Sequence, residues 1–162
     1  MERLTTIHID KESHKFSAAH FTIFSATERE RLHGHNFSVA ARLVAPVDDN
    51  GLTGDYAVYK QQIKKLCDAL DEYTIIPAQS LYLSIDEEGD YFRVRHHQDV
   101  LLLLKKDTLL LPLRNTTVED LSHYLLETLL EDKAFLEQQD IREIEVMVSS
   151  GPGQTGSSRW QR

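Results

Sequence analysis

The sequence is 162 residues long, enough for one domain with its own buried core, and 41% hydrophobic with 27% charged residues marks a globular rather than a disordered chain. A formal charge of −8, with no basic run denser than the three lysines of residues 60–65, argues against binding nucleic acid, because phosphate contacts need clustered Lys and Arg. The single cysteine, Cys67, excludes an internal disulfide and a Cys-based metal cluster. No apolar run is long enough for a signal peptide or a membrane span, so a cytoplasmic protein with no membrane partner is expected.

Residues 5–9 alternate, with Thr5, Ile7 and Ile9 on one side and Thr6 and His8 on the other. Residues 14–20 continue the extended pattern, with Phe16, Ala18 and His20 on one side. A second strand over 35–45 alternates Phe37, Val39, Ala41 and Leu43 against Ser38, Ala40 and Arg42, and Asp48-Asp49-Asn50-Gly51 then turns the chain. The period changes over 55–70, where Tyr59, Ile63, Leu66, Cys67 and Leu70 fall at helical spacing. Two hairpins are expected between 80 and 113: residues 81–85 with 91–95 around Glu88-Gly89-Asp90, and 100–104 with 108–113 around Lys105-Lys106-Asp107. Thr116 and Glu119 have capping-box spacing and open a helix at about 117–131 on the stripe Val118, Leu121, Leu125, Leu129. A short helical piece follows at 133–138, then a last strand carrying Ile144, Val146 and Val148. The Gly- and Ser-rich tail from Ser149 to Arg162 reads as loop. No repeat or linker divides residues 1–162. This order implies an α+β fold, two helices on one face of an antiparallel sheet, with inserted hairpins.

Three histidines carry the chemistry. His33 and His35 are two apart, so an extended backbone points both imidazoles to one side, and His20 ends the strand that a hairpin would set beside them. Three imidazoles with an open fourth position make a catalytic rather than a structural zinc arrangement. A His-x-His pair by itself is also compatible with ordinary histidines. His8, His14 and His123 have no partner spacing, and adjacent His96 and His97 read as surface positions.

Phe16-Ser17-Ala18-Ala19-His20-Phe21, followed by Arg31-Leu32-His33-Gly34-His35-Asn36-Phe37, resembles the metal-binding signature of the 6-pyruvoyltetrahydropterin and 6-carboxytetrahydropterin synthases. Gly54-Asp55-Tyr56 with Lys60, Leu70-Asp71, the run Asn115-Thr116-Thr117-Val118-Glu119-Asp120-Leu121, and Pro152-Gly153-Gln154 are similar to further stretches of that family in the same order. The resemblance implies zinc on His20, His33 and His35, and a tunnelling fold whose subunits associate into a barrel, typically a hexamer, with active sites between subunits. It also implies a small pterin substrate, usually 7,8-dihydroneopterin triphosphate, and substrate contacts from Thr116, Glu119, Ser149 and Ser150. Zinc would polarise the side-chain oxygens of that substrate, easing proton removal from neighbouring carbons and loss of triphosphate.

Three positions depart from the family pattern. Arg29 stands four residues before His33, where the usual proton-abstracting cysteine is expected, with Glu28 and Glu30 on either side. The usual Asp-His pair reads Asp71-Glu72, and the acid expected near the end of the last strand is replaced by Ser149-Ser150. Serine can hydrogen-bond but supplies no carboxylate for the guanidine-like edge of a pterin. Glu28 and Glu30 are each either a replacement base or a solvated loop charge; Glu72 beside Asp71 is either a second base or a helix-end acid. Cys67 lies on an apolar stripe and reads as core. Arg159 is either a phosphate contact or part of a free tail. The leading expectation is a zinc-dependent carbon–oxygen lyase. The alternatives are an aldolase giving a 6-hydroxymethyl pterin, as in relatives with glutamate in place of the cysteine, a non-catalytic pterin-binding homologue, and chemistry on another heterocycle.

Overall fold

The computed structural model describes residues 2–162. β1 (Leu4–His20) and β2 (His33–Pro46) pair antiparallel, and the register sets Phe16 opposite Phe37, Ala18 opposite His35 and His20 opposite His33. The hydrophobic phase of β1 switches between Ile9 and Phe16, from odd to even positions. A bulge absorbs the switch: Asp10 to Lys15 is five steps on β1 against two, Ala40 to Ser38, on β2. Three extra residues flip the pleat, so Ile9 and Phe16 both reach the core.

α1 (Tyr56–Asp68) is capped by Asp55, whose carboxylate accepts from the Ala57 N–H, and it buries Tyr59, Ile63, Leu66 and Cys67. Gly54 before it has φ +102°, a left-handed backbone conformation that favours glycine. α2 (Val118–Glu131) buries Leu121, Leu125, Leu126 and Leu129, and α3 (Lys133–Gln138) adds Phe135 and Leu136. Both long helices lie on the same face as the main apolar cluster, α1 against β1 and β2, α2 against the last strands.

The main sheet has six strands in the order β7 (Thr108–Leu111), β3 (Tyr73–Pro77), β1, β2, β8 (Glu143–Gly151) and β9 (Gln154–Gln161). β8 (Glu143–Gly151) pairs antiparallel with β2. The expected antiparallel core is therefore present, but β3 (Tyr73–Pro77) and β7 (Thr108–Leu111) extend it in parallel. β3 has no sequence signal because it does not alternate. Ile75 faces the main core, Ile76 faces a second apolar cluster, and both are fully buried.

The insert differs from expectation in the same region. β4 (Ser84–Glu88) and β5 (Tyr91–His96) form the first hairpin as read. The second hairpin, 100–104 with 108–113, does not form: β6 (Asp99–Leu104) pairs with β5, and β7 leaves to join β3. The tail is also corrected. It forms an edge strand, β9 (Gln154–Gln161), antiparallel to β8, because backbone pairing needs no apolar side chains. Gly156 lets β9 lie on the start of α2, where a Cβ would stand 2.7 Å from the Val118 carbonyl. Arg42, Glu143, Glu145 and Arg159 form a charge ladder across β2, β8 and β9, so Arg159 pairs with Glu143 rather than hanging free.

Candidate active site

The β1–β2 ladder puts His20, His33, His35 and Phe37 on one face, as period-two geometry demands. Ring centroids are 4.8 Å apart for His20–His33 and His33–His35, and 5.2 Å for His20–His35. One nitrogen from each ring lies within 4.8 Å of the other two. Phe37 closes the base edge-on to His20 at 5.2 Å and is itself stacked on Phe16.

Two of the rings have their tautomers set by backbone carbonyls. His20 Nδ1 lies 3.0 Å from the Thr116 carbonyl and His33 Nδ1 lies 2.6 Å from the Arg31 carbonyl. A carbonyl only accepts, so each Nδ1 carries the proton and each Nε2 presents a lone pair to the centre. His20 is 5% exposed, and its Nε2 is buried with no hydrogen-bond partner. Burial pushes the His20 imidazole below its ordinary pKa, against the Thr116 hydrogen bond, and the facing imidazoles push the same way. His33 Nε2 and His35 Nε2 are 3.0 Å apart, near the roughly 3.3 Å spacing of two nitrogens at about 2.0–2.1 Å from one tetrahedral ion. A buried, orphaned nitrogen facing two others is a donor set that fits zinc.

Glu30 stands beside the triad, its carboxylate 3.9 Å from His33 Nε2 and accepting from the Thr22 N–H at 2.9 Å. Burial alone would raise this carboxyl. The Thr22 hydrogen bond and the facing imidazoles outweigh that, and Glu30 is held below the usual carboxylate range. Between the two candidate acids, only Glu30 is brought to the histidines. Glu28 is exposed, and it is its backbone carbonyl that closes the loop, accepting from Phe24 and Ser25.

A cleft of about 360 Å3 opens over His20, His35 and Glu30, and is lined also by Thr116, Glu119, Ser150 and Gln154. Thr116 is fully buried, its carbonyl given to His20. The capping arrangement is consequently one residue later than read: Thr117 caps α2 through the Asp120 N–H, and Glu119 stays exposed at the cleft rim. Ser149 is used inside the chain, its Oγ donating to carbonyls at the β8–β9 turn. Ser150 Oγ accepts from the Gln154 side chain.

Asp71 and Glu72 lie elsewhere in this chain. Asp71 accepts from the Ser17 N–H on the opposite face of β1, and Glu72, at φ +65°, lines a shallower depression of about 470 Å3 on the far flank of His35. Cys67 is buried in the core and its thiol is pushed up to about 12 by burial, as expected of a residue with no chemical role. His96, read as a surface residue, is instead 1% exposed and holds the Ser25 carbonyl at 2.9 Å. His14 is likewise buried, inside the β1 bulge. Neither burial has a sequence signal, because the inserted sheet and the bulge that cover them are tertiary features. No described helix is long and apolar enough to cross a membrane.

Comparison with known proteins identifies the family and the fold. Residues 8–159 match the family model for 6-pyruvoyl tetrahydropterin synthase. A Methanocaldococcus jannaschii protein provisionally described as 6-carboxy-5,6,7,8-tetrahydropterin synthase is 29% identical over 86% of either chain. The crystal structure of 6-pyruvoyl tetrahydropterin synthase from Plasmodium vivax superposes with a TM-score of 0.93 at 29% identity, over 99% of both chains. A form of that enzyme with a catalytic glutamate replaced by alanine matches equally well, and the Plasmodium falciparum enzyme gives 0.92 at 27% identity over 98% of this chain and 99% of its own. The fold is thus the α+β fold of these synthases, and the chain belongs to the 6-pyruvoyl tetrahydropterin synthase family.

Proposed function

We propose that the protein is a zinc-dependent lyase acting on the three-carbon side chain of a dihydropterin, with 7,8-dihydroneopterin triphosphate as substrate and Glu30 as base. The observation that carries this is the carboxylate of Glu30 set 3.9 Å from His33 Nε2, beside three convergent imidazoles of which His20 and His35 line a cleft together with Glu30. Bound zinc would polarise the side-chain oxygens of the substrate. His20, His33 and His35 would hold the metal, the lone pairs of His20 and His33 being fixed by the Thr116 and Arg31 carbonyls. Glu30, kept as a carboxylate by the Thr22 N–H, accepts the proton leaving carbon. Glu119 and Ser150 bind the ring, Thr116 beneath them acts through the carbonyl that holds His20, and Ser149 supports them by shaping the β8–β9 turn. Glu119 offers the carboxylate that Ser149-Ser150 lacks.

The open edges of the six-stranded sheet, β7 and β9, support a homo-oligomer in which residues 1–162 act as one domain. Asp71 and Glu72 belong to this reading only through assembly, as second proton carriers at a site between copies. A cytoplasmic enzyme is part of the same proposal.

A second reading concerns the product. The base beside the triad is a glutamate, and the catalytic residue replaced in the Plasmodium vivax variants is also a glutamate. A glutamate at this position keeps cleavage of the side chain to a 6-hydroxymethyl pterin as the alternative to retention of all three carbons. Incubation of the zinc-loaded protein with 7,8-dihydroneopterin triphosphate, followed by identification of the pterin formed, decides between them. Release of triphosphate with the side chain intact supports the synthase, and a 6-hydroxymethyl pterin supports the aldolase. Absence of both products from the zinc-loaded protein, or failure of the protein to hold zinc, overturns the proposal.

A further inference from the structure

The inserted sheet β4-β5-β6 packs against the connection that carries Glu30, residues 21–32. That connection has little regular structure of its own, only an isolated bridge between Ile23 and Arg29. Its first part, Phe21 and Ile23, is buried in a cluster completed by Val94 of β5, with Phe92, Leu101 and Leu103 around it. This second cluster joins the insert to the Glu30 connection and to Ile76 of β3.

The polar contacts are more selective. His96 and Asp99 are the last paired residues of the β5–β6 hairpin, separated by the two-residue turn His97-Gln98. His96 Nε2 faces the Ser25 carbonyl at 2.9 Å and must donate to it. Asp99 takes the Arg29 guanidinium at 2.8 Å. The same guanidinium donates to the Glu30 carbonyl at 2.9 Å and lies 5.1 Å over the Phe21 ring. One hairpin turn therefore grips both sides of the loop, at Ser25 and at Arg29. Arg29 passes that grip to the backbone of Glu30 and to the residue following His20. At the far end Glu30 is tied to Thr22 twice, by its own N–H and through its carboxylate.

We propose that the β5–β6 turn is a clamp that fixes Glu30 over the histidine triad, with Arg29, His96 and Asp99 as positioning residues; this rests on Glu30 being the base. The Asp99 side chain is 62% exposed, so its ion pair contributes little to global stability. Its effect is on geometry. The position of a reacting group matters steeply, a misplacement of about 1 Å costing on the order of a hundredfold in rate.

The test uses the full-length, zinc-loaded protein and the variants Asp99→Asn, His96→Leu and His96→Gln, the last retaining an N–H donor for Ser25. Turnover, KM, bound zinc, Tm and hydrogen exchange at the Thr22 amide are measured on each. The clamp requires kcat to fall about 10- to 100-fold in Asp99→Asn and His96→Leu, with KM and zinc unchanged and Thr22 exchange faster. His96→Gln should recover most of the rate. The clamp is overturned if kcat and Thr22 exchange both stay at wild-type values, or if the losses follow zinc content and Tm and His96→Gln is no better than His96→Leu. Repeating Asp99→Asn in a Glu30→Gln background separates the two proposals. A clamp acting through the base adds no further loss there. If Glu30→Gln alone retains full rate, the base assignment fails, and Thr22 exchange in Asp99→Asn alone still decides whether the clamp exists.

Discussion

Glu30→Gln is the most direct perturbation of the site. The amide keeps an oxygen able to accept the Thr22 N–H at the position now held by Oε2, so the loop retains its tie. Exchanging a charged acceptor for a neutral one weakens a hydrogen bond by about 1 kcal/mol. For a chain of this size that lowers Tm by about 2–4 °C, a small and measurable change. The three imidazoles are untouched, and the Nε2 atoms of His20 and His33 stay oriented by the Thr116 and Arg31 carbonyls, so zinc stoichiometry should not change. The rate should respond differently. General-base catalysis contributes about 10²–10⁴-fold, or roughly 3–5 kcal/mol of barrier, and an amide cannot take the proton. The assay is kcat for pterin formation at saturating zinc, alongside metal analysis and thermal melting of the same preparation. A variant that holds zinc, melts within a few degrees of wild type and turns over at nearly the wild-type rate would refute Glu30 as base, and would favour a non-catalytic role.

Cys67 should be inert in the folded protein: with its thiol at about 12 rather than the ordinary value of about 8.5, the thiolate fraction at pH 8 drops by about three orders of magnitude. Thiol titration should therefore proceed only on addition of denaturant; prompt labelling of native protein would contradict its burial. Gly156→Ala should destabilise by about 1–3 kcal/mol, because the new Cβ meets the rigid backbone of Val118 rather than a side chain that can move, and a denaturation midpoint equal to wild type would show that β9 sits further from α2. Glu145 is held below the ordinary carboxylate range, first by its hydrogen bond from Arg42. A depressed folded-state pKa adds stability that is present above the unfolded value of about 4.3 and is lost as pH falls through the lower folded one. Urea midpoints between about pH 5 and 3 should thus fall more steeply for wild type than for Glu145→Gln, and parallel curves would remove this linkage.

What the sequence determined by itself is local or periodic. The helices were legible because an apolar stripe at 3.6 spacing can be buried only as a helix, and α1, α2 and α3 lie within a residue or two of expectation. The triad was legible because His33 and His35 share a strand face by period two, and the flanking resemblance supplied His20. The remainder was decided by contacts between distant segments. Parallel pairing of β3 with β1 and β7 depends on the helix-covered core on one face, taking Ile75, and the inserted sheet on the other, taking Ile76, which no alternation pattern records. β9 forms on backbone hydrogen bonds that its Gly- and Ser-rich composition conceals. Glu28 and Glu30 are equivalent acids in the sequence. Only the folding of residues 21–32 against the insert turns Glu30 toward His33 and leaves Glu28 in solvent. Residue type and spacing thus specify which chemical groups are available, whereas the approach of Glu30 to the histidine triad is set by loop closure across the fold, a free energy summed over contacts that lie far apart along the chain.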